Sequence, residues 1–152
     1  MILYRLSRAK YKNHLSGKGA ALKGGRWNSP GLEVIYCATN RSLAMAEVVV
    51  HLTIGTLPKD YFMIEIETPE TTKLKTVSAL PHDWNIFPHS SICRHIGDQF
   101  ILDNKDLLLK VPSAVTQGDY NILINPSHSL FHKIKIKSAT AFPFDRRLFN
   151  PE

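Results

Sequence analysis

The sequence predicts an α+β fold, a mixed or antiparallel sheet with a few helices. Many short segments alternate apolar and polar residues or run apolar for four to six positions, as strands do, while two stretches repeat at helical spacing. Neither GxGxxG nor a P-loop occurs, so the doubly wound nucleotide folds have no support.

Residues 2–6 read as a first strand and 33–38 as a second, apolar enough to be buried. Between them, 16–31 reads as a glycine- and lysine-rich loop, the kind of segment that carries binding sites. From Asn40 or Ser42 to about Leu52 the pattern is helical, with Asn40 as cap and Leu43, Ala46 and Val50 on one face. Tyr61 to Glu67 alternates as a strand with one wet face, and Thr72 to Val77 continues the sheet. Residues 78–90, around Trp84, read as an excursion loop. A helix from about Ser91 to Leu102 puts Ile92, Ile96 and Phe100 together. Leu107 to Val111, Asn121 to Pro126 and Phe131 to Lys137 are further strands, and Phe142 to Phe149 a last strand with an ordered tail.

No linker or repeat divides the 152 residues, so residues 1–152 are expected to share one core that buries about two-thirds of the unfolded surface. Cys37 and Cys93 form neither a bridge framework nor a CxxC knuckle and read as packed thiols. The net charge of +6 is spread over lysines and arginines from Lys10 to Arg147 with no nucleic-acid motif, which suits steering of an anionic small substrate or an acidic partner. No apolar run is long enough for a bilayer, and the N-terminal residues have no signal-peptide layout, so a cytoplasmic location is expected.

Chemistry concentrates in Gly24-Gly25-Arg26-Trp27-Asn28-Ser29. Paired glycines let backbone approach a ligand, arginine offers a planar fork of donors for a diphosphate, and tryptophan a face for a flat ring. Tyr36 follows on the apolar strand and Glu47 on the helix, beside its apolar stripe, where an unpaired charge needs a donor or a task. Each residue also has a plain role: Glu47 as the partner of a nearby cation, Arg26 as a brace of its own loop, Tyr36 as core, Trp27 as a plug, Ser113 as a turn residue. His82, His89, His95 and His128 stand in neither HxH nor HExxH spacing, so no metal is expected. G-x-S-x-G is also absent, which removes the nucleophile-elbow hydrolases.

Taken together, these pieces resemble the RES-domain family, named for its arginine, glutamate and serine. The resemblance rests on Leu3-Tyr4-Arg5-Leu6, Gly24-Gly25-Arg26-Trp27-Asn28, Val34-Ile35-Tyr36-Cys37-Ala38, Ser42-Leu43-Ala44 leading to Glu47, Val111-Pro112-Ser113-Ala114-Val115, and Asn121-Ile122-Leu123-Ile124-Asn125-Pro126 followed by His128. They run in the family's order from residue 2 to about 144. One departure is Phe100, where many members carry tryptophan after the Gly97-Asp98 pair.

The resemblance implies a fold similar to the diphtheria-type ADP-ribosyltransferases. It also implies the toxin half of a bacterial toxin–antitoxin pair that consumes NAD as substrate, with no separate cofactor. Its implied partner is an antitoxin with a helix-turn-helix (Xre-type) domain that covers the active site and supplies the only DNA contact; a homodimer within that complex is a further expectation. By the same resemblance the catalytic residues are Glu47, Arg26 and Tyr36, with Arg5, Gly25, Trp27, Asn28 and Ser113 binding NAD. Cleavage of the nicotinamide–ribose bond builds an oxocarbenium-like sugar. In this reading Glu47 stabilises that cation, Arg26 grips the diphosphate or adjacent ribose, Tyr36 stacks beside nicotinamide, and Ser113 orients Glu47 or bonds a ribose hydroxyl. The acceptor is water or phosphate. The alternatives are a protein-directed ADP-ribosyltransferase and a non-catalytic nucleotide- or partner-binding module.

Overall fold

A computed structural model describes residues 1–53, 55 and 58–149. Among these, seven strands form one sheet: β1 (Ile2–Arg8), β2 (Ile35–Ala38), β3 (Tyr61–Glu67), β4 (Leu74–Thr76), β5 (Leu108–Pro112), β6 (Tyr120–Ile124) and β7 (Lys135–Ala141). Their order is β4-β5-β6-β2-β1-β3-β7. The β4–β5 pair is parallel and every other neighbouring pair antiparallel, so the sheet is mixed and the class α+β, as expected. The most apolar runs, in β2, β5 and β6, lie inside the sheet, where both faces are covered; three exposed residues make up β4, at one edge.

Period-two alternation sorts the side chains onto two faces. One face gathers Leu3, Ile35, Cys37, Ile64, Ile66, Leu108, Ile122 and Ile124, covered by Leu15, Phe131 and Ile134. The other carries two helices. Helix α2 (Arg41–Val49) packs Leu43 and Ala44 against Leu6, Ala38 and Met63. Helix α3 (Ser91–Asp103) packs Cys93, Phe100 and Ile101 against Leu109, Val111 and Leu123. Strand β1 is registered with β3 from Ile2 to Arg8, but with β2 only where Tyr4 faces Ala38. A cleft of about 720 Å³ opens here, bordered by Tyr4–Leu6 of β1, Tyr36–Ala38 of β2, and residues of α2.

Four expectations need correction. The 16–31 loop contains a one-and-a-half-turn helix, α1 (Lys18–Lys23), built on Ala20, Ala21 and Leu22 and ended by Gly24 at φ +72°, a conformation glycine adopts freely. Residues 131–133 form a 3-10 turn, and the strand instead runs Lys135–Ala141, its alternation carried past a bulge opposite Glu65 and Ile66. Beyond Ala141 the chain leaves the sheet: Pro143 has no N–H for a ladder, and Phe144 instead packs edge-on against Tyr61, Phe142 and Phe149 at 5.4, 5.4 and 5.9 Å. In α3 the buried face is Cys93, Gly97, Phe100 and Ile101, whereas Ile92 is 47% exposed. The smallest residue decides that rotation, because Gly97 sits against the backbone of Trp27, where a Cβ would fall 1.7 Å from the carbonyl oxygen.

Candidate active site

Helix α2 delivers Glu47 to the cleft. The Asn40 side chain accepts a 2.8 Å bond from the Leu43 N–H and starts the helix, as the sequence suggests. Ala44, Glu47 and His51, spaced by three and four, then border the cleft. The expected stripe of Leu43, Ala46 and Val50 is rotated: Leu43 and Ala44 are buried, Met45 and Val48 partly so, and Val50 is 57% exposed. Glu47 thus lies at the edge of that contact, toward the cleft.

Two side chains hold the carboxylate. Ser113 Oγ donates to Glu47 Oε1 at 2.8 Å and Asn121 Nδ2 donates to the same oxygen at 2.6 Å. Among the described residues Oε2 accepts no hydrogen bond, so one carboxylate oxygen is anchored and the other is available. Ser113 is buried, and its Oγ also accepts from the N–H groups of Val115 and Thr116, closing the turn after β5. It stands behind Glu47 and holds one oxygen of its carboxylate. The signal in the sequence that marks Asn121 is a polar residue directly before the apolar run Ile122-Leu123-Ile124 of β6.

The glycine loop forms another part of the cleft border. Arg26, like Glu47, borders the cleft. Its Nη1 donates to the carbonyls of Trp84 and Ile86 at 2.9 and 3.0 Å, which ties the 78–90 segment to the site. Gly25 also borders the cleft; a Cβ there would meet the Tyr36 hydroxyl at 2.7 Å, so only glycine allows the two to approach. Helix α3 grips this loop. Asp98 accepts from the N–H and hydroxyl of Ser29, and Arg94 donates to the Gly25 carbonyl at 3.3 and 3.4 Å.

Tyr36 borders the cleft, with its hydroxyl turned to internal work: it donates to Asn28 Oδ1 at 2.7 Å and accepts from the Trp27 N–H at 3.1 Å. Burial pushes the phenol well above its ordinary value, so it stays neutral. Arg5 borders the cleft and makes no side-chain hydrogen bond or ion pair among the described residues. Its charge reaches Cys37, whose thiol burial nevertheless pushes up to about 12.

Two residues expected to touch the ligand lie deep in the loop. Asn28 is fully buried, and its amide donates to the carbonyls of Ala20, Ser29 and Leu32, so it fixes the loop and the Tyr36 hydroxyl from behind. Trp27 borders the cleft but is only 2% exposed, and its ring packs in the α3 core, 6.3 Å from the Trp84 ring. The structure therefore brings Glu47, Arg26, Tyr36, Arg5, Gly25 and Trp27 to one cleft and sets Ser113 and Asn28 behind it. Asn85 and Phe87 of the excursion loop, and His51, join the cleft without a signal in the sequence, as does His89, which its spacing marks only as no metal ligand.

A RES domain profile matches residues 2–145. The chain belongs to the RES-domain family. A Photorhabdus laumondii relative named "Toxin Res" is 38% identical over 151 residues, 97% of each chain. The "Prs ADP-ribosylating toxin" of Sphingobium sp. is 36% identical over 138 residues, 88% of this chain and 86% of that one. The fold is similar to one in the crystal structure of the M. tuberculosis MbcT-MbcA toxin-antitoxin complex, with a TM-score of 0.73 at 21% identity, over 97% of this chain and 85% of that one. The six motifs that carry the RES resemblance lie inside the matched span.

Proposed function

We propose that this RES domain is the toxin of a toxin–antitoxin pair and that it consumes NAD by breaking the nicotinamide–ribose bond. The observation that carries the chemistry is Glu47: its carboxylate is fixed through one oxygen by Ser113 and Asn121 and borders a cleft shared with Arg26, Arg5 and Tyr36. Nicotinamide departs neutral with the bonding electron pair, so no strong general acid is needed, and the ribose carries the developing positive charge. A carboxylate already held in place stabilises that charge without reorganising. Glu47 Oε2 receives the ribose hydroxyls or faces the cation. Arg5 and the remaining donors of Arg26 take the diphosphate. The Tyr36 ring is the apolar surface beside the leaving group. Water or phosphate then bonds the ribose carbon, and a water acceptor releases its proton to solvent.

The relatives' names and the fold of a solved toxin–antitoxin complex support an antitoxin partner for this chain as well. We place a helix-turn-helix antitoxin over the cleft mouth, with any DNA contact made through that partner, in the cytoplasm.

A second reading has its own observation, the Sphingobium relative's name: the acceptor is a protein side chain and the product ADP-ribosylated protein. Incubation with NAD labelled in the adenylate half, with and without phosphate and with a cell extract, separates these by mass. Free ADP-ribose or its 1-phosphate beside nicotinamide supports NAD depletion. Label on a protein before the NAD pool falls supports transfer. Tight binding with no nicotinamide release identifies a non-catalytic module.

A further inference from the structure

The excursion loop places three side chains, Asn85, Phe87 and His89, on the cleft that holds Glu47. The loop is anchored there. Arg26 donates to two of its carbonyls, at Trp84 and Ile86, and the Arg26 guanidinium lies 6.0 Å from the Trp84 ring centroid. Cys93 Sγ also meets the Trp84 carbonyl, at 3.4 Å. On this braced segment Phe87 is 82% exposed. The His89 ring stands edge-on to it at 5.5 Å and 88°, which fixes the pair as a corner. His89 Nδ1 is buried with no hydrogen-bond partner in the described structure. A large aromatic face without a cover, beside an imidazole on the same cleft, is the mark of a ligand contact.

We propose that this corner holds a flat nitrogen heterocycle of the dinucleotide, with Phe87 against its face and the His89 imidazole at its polar edge. The inference rests on the NAD reading above and adds the residues that select the ring. Both bases of the dinucleotide have the required chemistry, an aromatic face bordered by an amide or amino group. Burial, and then the charges of Arg26, Arg94 and His51, lower the basicity of His89, so it presents a neutral imidazole able to donate or accept. A neutral wall also adds no cation to a site that must receive a pyridinium. Arg26 then acts on the substrate both by its charge and through the loop it braces.

Calorimetric titration with carbocyclic NAD, which cannot form the ribose cation, tests this on the intact protein without turnover. Phe87→Ala and His89→Ala are each expected to weaken binding by about fivefold or more, whereas Phe87→Tyr keeps the wild-type affinity within about twofold. Nicotinamide mononucleotide and ADP, titrated separately, tell which ring is held, since the loss follows only the ligand that carries it. Unchanged affinity of both alanine variants for all three ligands overturns the proposal. An equal loss for nicotinamide mononucleotide and ADP also overturns it, because that reports collapse of the loop and not a ring contact. Wild-type protein that binds none of the three overturns the NAD reading itself, and this inference with it.

Discussion

Ser113 Oγ donates to Glu47 Oε1 at 2.8 Å, joining the turn after β5 to helix α2 from positions 66 apart in sequence. Asn121 adds a second donor to the same oxygen. The acid therefore has a fixed position before any substrate arrives, which is what an electrostatic stabiliser of a transient cation requires.

Removing one donor while keeping the acid should lower kcat more than it raises KM. For Asn121→Ala the expected loss is about ten- to a hundredfold in kcat, read from steady-state NAD consumption. Ser113→Ala should lose similarly and also cost about 1–2 kcal/mol of stability, because its oxygen closes the 113–116 turn as well. A change confined to KM in both variants would contradict the positioning role.

Gly97→Ala tests how closely α3 grips the glycine loop. The added carbon would fall 1.7 Å from the Trp27 carbonyl oxygen, so helix and loop must separate. Destabilisation of about 3 kcal/mol or more is expected in urea unfolding. Gly19→Ala, in α1 with nothing within 4 Å of the new carbon, should be neutral or stabilising by about 0.5 kcal/mol.

Buried thiols supply a pH signature. Burial moves Cys37 from 9.0 to about 12, a folded value above the unfolded one. Its contribution to stability is thus complete below about pH 9 and is lost as pH rises from there toward 12. Thermal unfolding followed from pH 7 to 11 should show a falling midpoint above pH 9, less steep in Cys37→Ala than in wild type. Iodoacetamide should leave Cys37 unmodified at pH 8 until denaturant is added.

Much of this was legible in the residues because local chemistry and tertiary role agreed. Asn40 caps α2, Pro112 ends β5, and Tyr61 to Glu67 pairs along its whole length with β1. The recognition motif 24–29 was legible as a unit but not in its division of labour. Arg26, Gly25 and Trp27 border the cleft, yet Trp27 and Asn28 are also buried, because the same loop must both line a site and plug a core. Periodicity also misplaced the faces of α2 and α3 by about one residue. It counts apolar residues and is blind to Gly97, whose lack of a side chain sets where α3 touches Trp27. The part played by residues 78–90 was invisible because it depends on backbone carbonyls at Trp84 and Ile86 meeting a guanidinium 58 and 60 positions away.

The central claim is that the Glu47 charge, held in place, carries the cleavage of NAD. Glu47→Gln keeps the shape and removes the charge, so nicotinamide release by this variant and by wild type, at matched thermal stability, is the most direct measurement. The account predicts a loss of about a hundredfold or more in turnover with the fold intact. Wild-type rates of nicotinamide release from the folded variant would contradict it.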